Sequence, residues 1–195
     1  MNLESEFKRY GVILEGHFKL TSGRHSNLYI NKDKAFTHNI LYREIVDQMV
    51  QILFKKYKPN DYDIITGPAV AGLSLASPIA LFTRKDYVYP EKSNTIITGR
   101  KEMIFRRGYD KVLKNKRVII TEDIITTGSS VQQTIDAVNK CDGRVICVLS
   151  IWNRSNWGPS ICPLYSLIES EVQSWDPEDC PMCKEGIELQ DPKSL

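Results

Sequence analysis

A chain of 195 residues with 42% hydrophobic and 26% charged side chains has the composition of one globular domain with a sizeable core. Its net charge of +2 is too small for a generally basic nucleic-acid binder, and no apolar run approaches the roughly 20 residues that a membrane span needs. The N-terminus MNLESEFKRYG has no apolar leader and the five cysteines are odd in number, so a cytoplasmic protein with reduced thiols is expected.

Residues 1–38 form a leading segment, 39–160 a core and 161–195 a C-terminal tail. Leu41, Ile45, Met49 and Ile52 recur at helical spacing, and Pro59-Asn60-Asp61 closes that helix with a turn. YDIITGPAVAGLSLASPIALF then reads as a short buried strand over 63–66, a Gly-Pro loop and a helix, which Pro78 should kink or delay. DYVYP is a second strand, ended by Pro90. Residues 91–116 lack periodicity, and between Arg100 and Arg117 the chain carries a net +6 against −4 for the remainder. So concentrated a cationic stretch points to an anionic ligand, and a mobile arm or hairpin is expected there.

Val118 to Thr121 is a third strand, Val131, Ile135 and Val138 mark a helix from near Ser129, and RVICVLSIW is a fourth strand; Cys141 and Cys147, which flank or enter it, are expected core residues. Strands alternating with helices predict an α/β fold, a parallel twisted sheet flanked by helices.

RVIITEDIITTGSS, at 117–130, carries the chemistry. In such a sheet, ligands bind outside the carboxyl ends of strands, where loops meet helix N-termini. Gly128 permits close backbone approach, and the hydroxyls of Thr126, Thr127, Ser129 and Ser130 together with a helix N-terminus make a cradle for phosphate. Glu122 and Asp123 would repel phosphate, so their partners are ligand hydroxyls, as in a ribose, or Mg2+. The plain alternative is a pair of surface acids before a capped turn. A Walker A loop is excluded, because no Gly-Lys-Ser/Thr follows the strand.

VIITEDIITTGSS resembles the phosphoribosyl-pyrophosphate (PRPP) signature of type I phosphoribosyltransferases. The resemblance implies that Glu122 and Asp123 touch the ribose hydroxyls and that Thr126 to Ser130 hold the 5-phosphate. EGHFKLTSGRHSNLYIN (15–31) and WNR (152–154) are similar to orotate phosphoribosyltransferases, which implies a small N-terminal hood, base binding by Tyr29 and Arg154, the latter on the orotate carboxylate, and a homodimer. TGPAVAG lies where the family takes up pyrophosphate, on Gly67, Pro68 and Ala69. The lysine of the family's mobile loop matches Lys92 or Lys101, with Lys92 preferred for its place after the strand; Arg100, Lys101, Arg106 and Arg107 are then loop cations for the leaving group. Catalysis would rest on Lys92 and on Asp123, which orients the ribose and carries no proton.

The implied reaction is Mg2+-dependent transfer of ribose 5-phosphate from PRPP to orotate, with small-molecule substrates and neither membrane nor nucleic acid as partner. The chain departs from the family where Val70 and Ala71 replace a lysine, where Thr21 replaces another, and where the loop lacks a glycine-rich tip. Transfer to another nucleobase and a non-catalytic PRPP-binding regulator are the alternatives. An aspartate in place of Thr126 marks the purine relatives, and its absence argues against that class.

Cys180-Pro-Met-Cys183 can be half of a tetrahedral zinc site. Cys162 or the same pair from a second subunit could complete it, whereas His17, His25 and His38 lie far away in sequence. A structural tail is the first reading and zinc the second.

Overall fold

A computed structural model describes residues 3–20, 22–94, 101–155 and 157–192. Its elements in chain order are α1 (Leu3–Arg9), β1 (Ile13–Lys19), β2 (His25–Ile30), α2 (Lys32–Thr37), α3 (Asn39–Lys56), β3 (Ile64–Thr66), α4 (Ala71–Thr83), β4 (Asp86–Tyr87), β5 (Glu91–Asn94), β6 (Lys101–Ile104), α5 (Tyr109–Leu113), β7 (Arg117–Ile125), α6 (Ser129–Lys140), β8 (Arg144–Asn153), β9 (Leu164–Glu169) and α7 (Pro181–Lys184). The chain divides into two compact units, Arg43–Glu169 and the combination of Met1–Tyr42 with Ser170–Leu195. No helix among the described residues is long and apolar enough to cross a membrane.

The larger unit is built on a five-stranded sheet in the order β4-β3-β7-β8-β9, parallel throughout. Alternation along β7 decides what covers each face. Val118 and Ile120 pack with Val131, Ile135 and Val138 of α6, in one cluster with Met103, Phe105 and Leu113. Ile119 and Thr121 point the other way, and Thr121 Oγ1 donates to the Gly72 carbonyl at the start of α4, 2.8 Å away. The strand order reverses between β3 and β7, so the crevice at their carboxyl ends is the place for a ligand. At the opposite ends of these strands Arg117 grips Asp63 with Nε and Nη2, at 3.0 and 2.9 Å. That ion pair holds the Asp63 carboxyl down at about 2.

Several boundaries differ from the sequence reading. Strand β7 continues past Thr121 to Ile125, because β8 runs beside it and pairs Glu122 with Ser150 and Ile124 with Trp152. The two acids are therefore buried inside a strand, at 7% and 3% exposure, and not exposed beyond its end. Leu164–Glu169, assigned above to the tail, is the edge strand of the sheet. Helix α4 begins at Ala71 without delay and runs through Pro78. The antiparallel ribbon of β5 with β6 is, by contrast, the hairpin expected in the basic stretch. Cys147 is buried and Cys162 packs against the core cluster; burial pushes their thiols up to about 12 and about 11.

In the smaller unit β1 and β2 form an antiparallel hairpin. The tail lies along both of its edges, Trp175 pairing with His25 and Gln190 with Phe18. Arg24 fastens one edge, donating to Asp176 Oδ1 at 2.8 Å and to the Ser174 carbonyl at 2.7 Å.

Candidate functional site

The carboxyl end of β7 opens into a small, solvent-open recess lined by Glu122, Ile124 to Ser130 and Val131. Each part of its shape has a local cause. Gly128 sits at φ +70°, a conformation that costs other residues about 1 kcal/mol or more, and it is the N-cap of α6. A Cβ at that position would fall within the indole of Trp157, so only glycine lets the loop pass beneath the ring. Trp157 is tied in turn to the end of β8, its carbonyl accepting from Asn153 Nδ2 at 3.1 Å. The first-turn N–H groups of α6 have no helical acceptors and carry the positive end of the helix dipole. Thr126, Thr127, Ser129 and Ser130 are exposed around them, and Gln133 Nε2 donates to Ser129 Oγ. Of the two acids, Glu122 lines the recess, its Oε1 accepting from the Asp123 N–H, whereas Asp123 is buried beside it without lining the recess, its Oδ1 accepting from the Ile124 N–H. These hard oxygen donors suit Mg2+ held jointly with a phosphorylated ligand.

The neighbouring loop, after β3, is shaped by close backbone approach. A Cβ on Gly67 would lie 2.6 Å from the carbonyl oxygens of Gly72 and Thr121, and one on Gly72 would lie 2.7 Å from the Thr121 oxygen. Neither clash can be relieved by a side-chain rotation, so both glycines are structural requirements of the loop that carries Pro68 and Ala69. The Ala69–Val70 peptide bond is cis. Thr66 Oγ1, at the loop's entrance, is buried with no hydrogen-bond partner among the described residues. Val70 is 77% exposed where the resemblance would place a lysine.

Arg154 follows β8, its N–H donating to the Ile125 carbonyl at 3.0 Å, so it is anchored beside the end of β7. Burial holds its guanidinium pKa below the ordinary arginine value. Among the described residues, no side chain forms an ion pair with it.

Lys92 is exposed on β5, opposite Met103 of β6. Arg106 and Arg107 are turned to Glu91, at 3.9 and 2.8 Å. The structure thus gives these two arginines a carboxylate partner in their own ribbon. Arg100 and Thr21 lie outside the described residues, as does the side chain of Lys101. Tyr29 is half-buried on β2 and packs on Phe18, with ring centroids 5.9 Å apart. Sequence reasoning did not single out Trp157, Gly72 or Thr121; the glycine six residues after Thr66 was the available signal for the second.

A parallel sheet with a hydroxyl-and-amide cradle at the carboxyl end of β7 is an arrangement suited to a phosphorylated ligand, and the comparison with known families agrees. Residues 34–180 match the phosphoribosyl transferase domain, and the chain belongs to that family. Among curated relatives, orotate phosphoribosyltransferase of Thermoanaerobacter sp. (strain X514) is 35% identical over 96% of this chain and 94% of its own. The enzyme of that name from Thermotoga maritima is 34% identical over 96% and 95%. The crystal structure of orotate phosphoribosyltransferase from Aeropyrum pernix superposes with a TM-score of 0.70 over 87% of this chain and 93% of that one, at 22% identity. Adenine phosphoribosyltransferase from Trypanosoma brucei reaches 0.66 over 87% and 80%, at 20% identity. The fold alone therefore does not select the base.

Proposed function

We propose that the chain is an orotate phosphoribosyltransferase, moving ribose 5-phosphate from PRPP to orotate with release of pyrophosphate. The observation that carries this reading is the recess at the end of β7, where the buried Glu122, with Asp123 next to it in the strand, lines a hydroxyl-and-amide cradle. The cradle takes the 5-phosphate through the α6 N-terminus and the Thr and Ser hydroxyls. Glu122 and Asp123 accept from the ribose hydroxyls and orient the sugar. The loop at Gly67, Pro68 and Ala69 offers backbone N–H groups to the pyrophosphate, and Lys92, with Arg100 and Lys101 as further cations, neutralises it as it leaves. Mg2+ held near Glu122 and Asp123 would supply charge compensation on the pyrophosphate oxygens.

Loss of pyrophosphate leaves oxocarbenium-like charge on the sugar, so the protein's work is to align the base, screen the leaving group and exclude water. Arg154, half-buried and without an ion-pair partner among the described residues, supports recognition of the orotate carboxylate, and Tyr29 keeps the base-binding role that the resemblance implies. The reading also places the enzyme in the cytoplasm as a homodimer, a state that sedimentation analysis would test.

The deciding assay follows pyrophosphate release from PRPP and Mg2+ with orotate, uracil, adenine, guanine, hypoxanthine or xanthine in turn. Orotate should be consumed and uracil disfavoured about tenfold to a hundredfold, the cost of one charged hydrogen bond in a desolvated site. Arg154→Ala should lose orotate and keep PRPP binding. A purine preference would refute the orotate assignment, and PRPP binding without release for every base would leave a regulator.

A further inference from the structure

The tail motif that the transferase chemistry does not use acquires partners in the smaller unit. His17 and His25, eight residues apart, lie on adjacent strands of the β1–β2 hairpin. The register pairs Lys19 with His25, so His17 is the diagonal neighbour of His25 on the same face. Cys180 and Cys183 stand three apart at the N-cap and in the single turn of α7, which also puts them on one side. The four side chains meet, with His17, His25, Cys180 and Cys183 presenting one ligand atom each within 4.8 Å of one another.

The distances are those of a small coordination polyhedron. His17 Nε2 lies 3.0 Å from His25 Nδ1, 3.4 Å from Cys180 Sγ and 3.6 Å from Cys183 Sγ, and Cys183 Sγ lies 3.3 Å from His25 Nδ1. A tetrahedral zinc with bonds of about 2.3 Å to sulfur and about 2.0 Å to nitrogen separates its ligand atoms by about 3.3–3.8 Å. Hydrogen bonding accounts poorly for the same cluster. His17 Nδ1 is 2.8 Å from the Ile187 carbonyl, to which it can only donate, so the neutral ring presents a single lone pair at Nε2. Three heteroatoms converge on that one lone pair. A cation at the centre accepts from all four groups at once, and the Ile187 contact is the outer hydrogen bond that fixes a metal-bound imidazole's tautomer.

We propose that His17, His25, Cys180 and Cys183 form a structural Cys2His2 zinc site that staples the C-terminal tail to the N-terminal hairpin. Four protein ligands leave no open position, and three of them are buried, so the site holds the fold and performs no chemistry on substrate. It replaces both completions expected from sequence, since neither Cys162 nor a second subunit is needed. The proposal is independent of which base the transferase uses.

The test is elemental analysis of the full chain purified without chelator under reducing conditions, followed by X-ray absorption at the zinc edge. About one zinc per chain is expected, with two sulfur and two nitrogen neighbours. Cys183→Ser, at an exposed position, and His25→Ala should each reduce the zinc content at least tenfold, whereas Cys162→Ser should retain it. Cobalt added to chelator-stripped protein should give the visible absorption of tetrahedral thiolate coordination, a readout independent of any variant's folding. Wild-type protein that contains no zinc and takes up neither zinc nor cobalt would leave a thiol-imidazole hydrogen-bond cluster and overturn the proposal. Undiminished zinc in a Cys183→Ser, His25→Ala double variant would overturn it equally.

Discussion

Replacing Gly128 by alanine tests the cradle where its geometry is tightest. The added Cβ would occupy space now filled by the Trp157 indole, at a backbone φ of +70° that alanine adopts at a cost of about 1 kcal/mol. To restore ordinary carbon contact of about 3.5–4.0 Å, either the ring must swing away or the loop must sink toward β7. Movement of the loop misaligns the first-turn amides with the phosphate and weakens one or two charge-assisted hydrogen bonds of about 1.5–3 kcal/mol each. PRPP affinity should therefore fall about tenfold to a hundredfold in Gly128→Ala, measured by titration calorimetry. Removing the obstacle should return part of that loss. In a Trp157→Ala background the same glycine replacement should cost less by about 1 kcal/mol, because only the backbone strain remains. An equal cost in both backgrounds would mean that the indole does not set the loop's position, and an unchanged affinity in the single variant would show that the phosphate binds elsewhere.

Gly67→Ala forces a methyl against two backbone oxygens at 2.6 Å and should lower stability by about 2–3 kcal/mol, a Tm drop of about 5–10 °C by calorimetry; a change under about 1 °C would refute the close-approach account. The Asp63 carboxyl, held near 2 in the folded state against an ordinary value of 3.8, stabilises fully above about pH 4, and this contribution disappears as pH falls toward 2. With part of each side chain in solvent the pair is worth about 1 kcal/mol, so urea midpoints of wild type and Asp63→Asn should converge at low pH, and parallel curves would contradict the sign. Asp123→Asn should weaken PRPP binding while the Tm stays close to that of wild type, since the side chain sits at the ligand end of β7; intact calorimetric affinity would remove the ribose role. Lys92→Ala should lower kcat by a larger factor than it raises the Kd for PRPP, and unchanged turnover would transfer the role to Lys101.

The cradle was legible because its signals are local: acids, hydroxyls and a glycine within nine residues, followed by a helical period. The sheet was legible for the same reason, since runs such as Val118–Thr121 declare themselves by branched apolar content. What escaped depends on neighbours distant in sequence. Glu122 and Asp123 look like the end of a strand until β8 is seen alongside, carrying the ladder on to Ile125. Leu164–Glu169 is a weak pattern because an edge strand covers only part of its surface, and its residues are mostly half-buried.

 His17 and His25 lie some 155 residues or more from Cys180 and Cys183, and although the hairpin spacing that aligns the two histidines is itself in the sequence, the return of the tail is not.

That return has a consequence for how the protein comes into being. The hairpin at Ile13–Ile30 is made before Arg43–Glu169, but the backbone partners of its two edges, Trp175 and Gln190, are made after it. On the ribosome the strands that carry His17 and His25 must wait with unpaired edges while the whole of Arg43–Glu169 is synthesised, and that unit, whose sheet is complete at Glu169, can fold ahead of them. Translation order and folding order are therefore reversed for the hairpin: it emerges before the sheet and settles after it, and a message truncated just after Glu169 would yield a finished sheet beside a hairpin with bare edges.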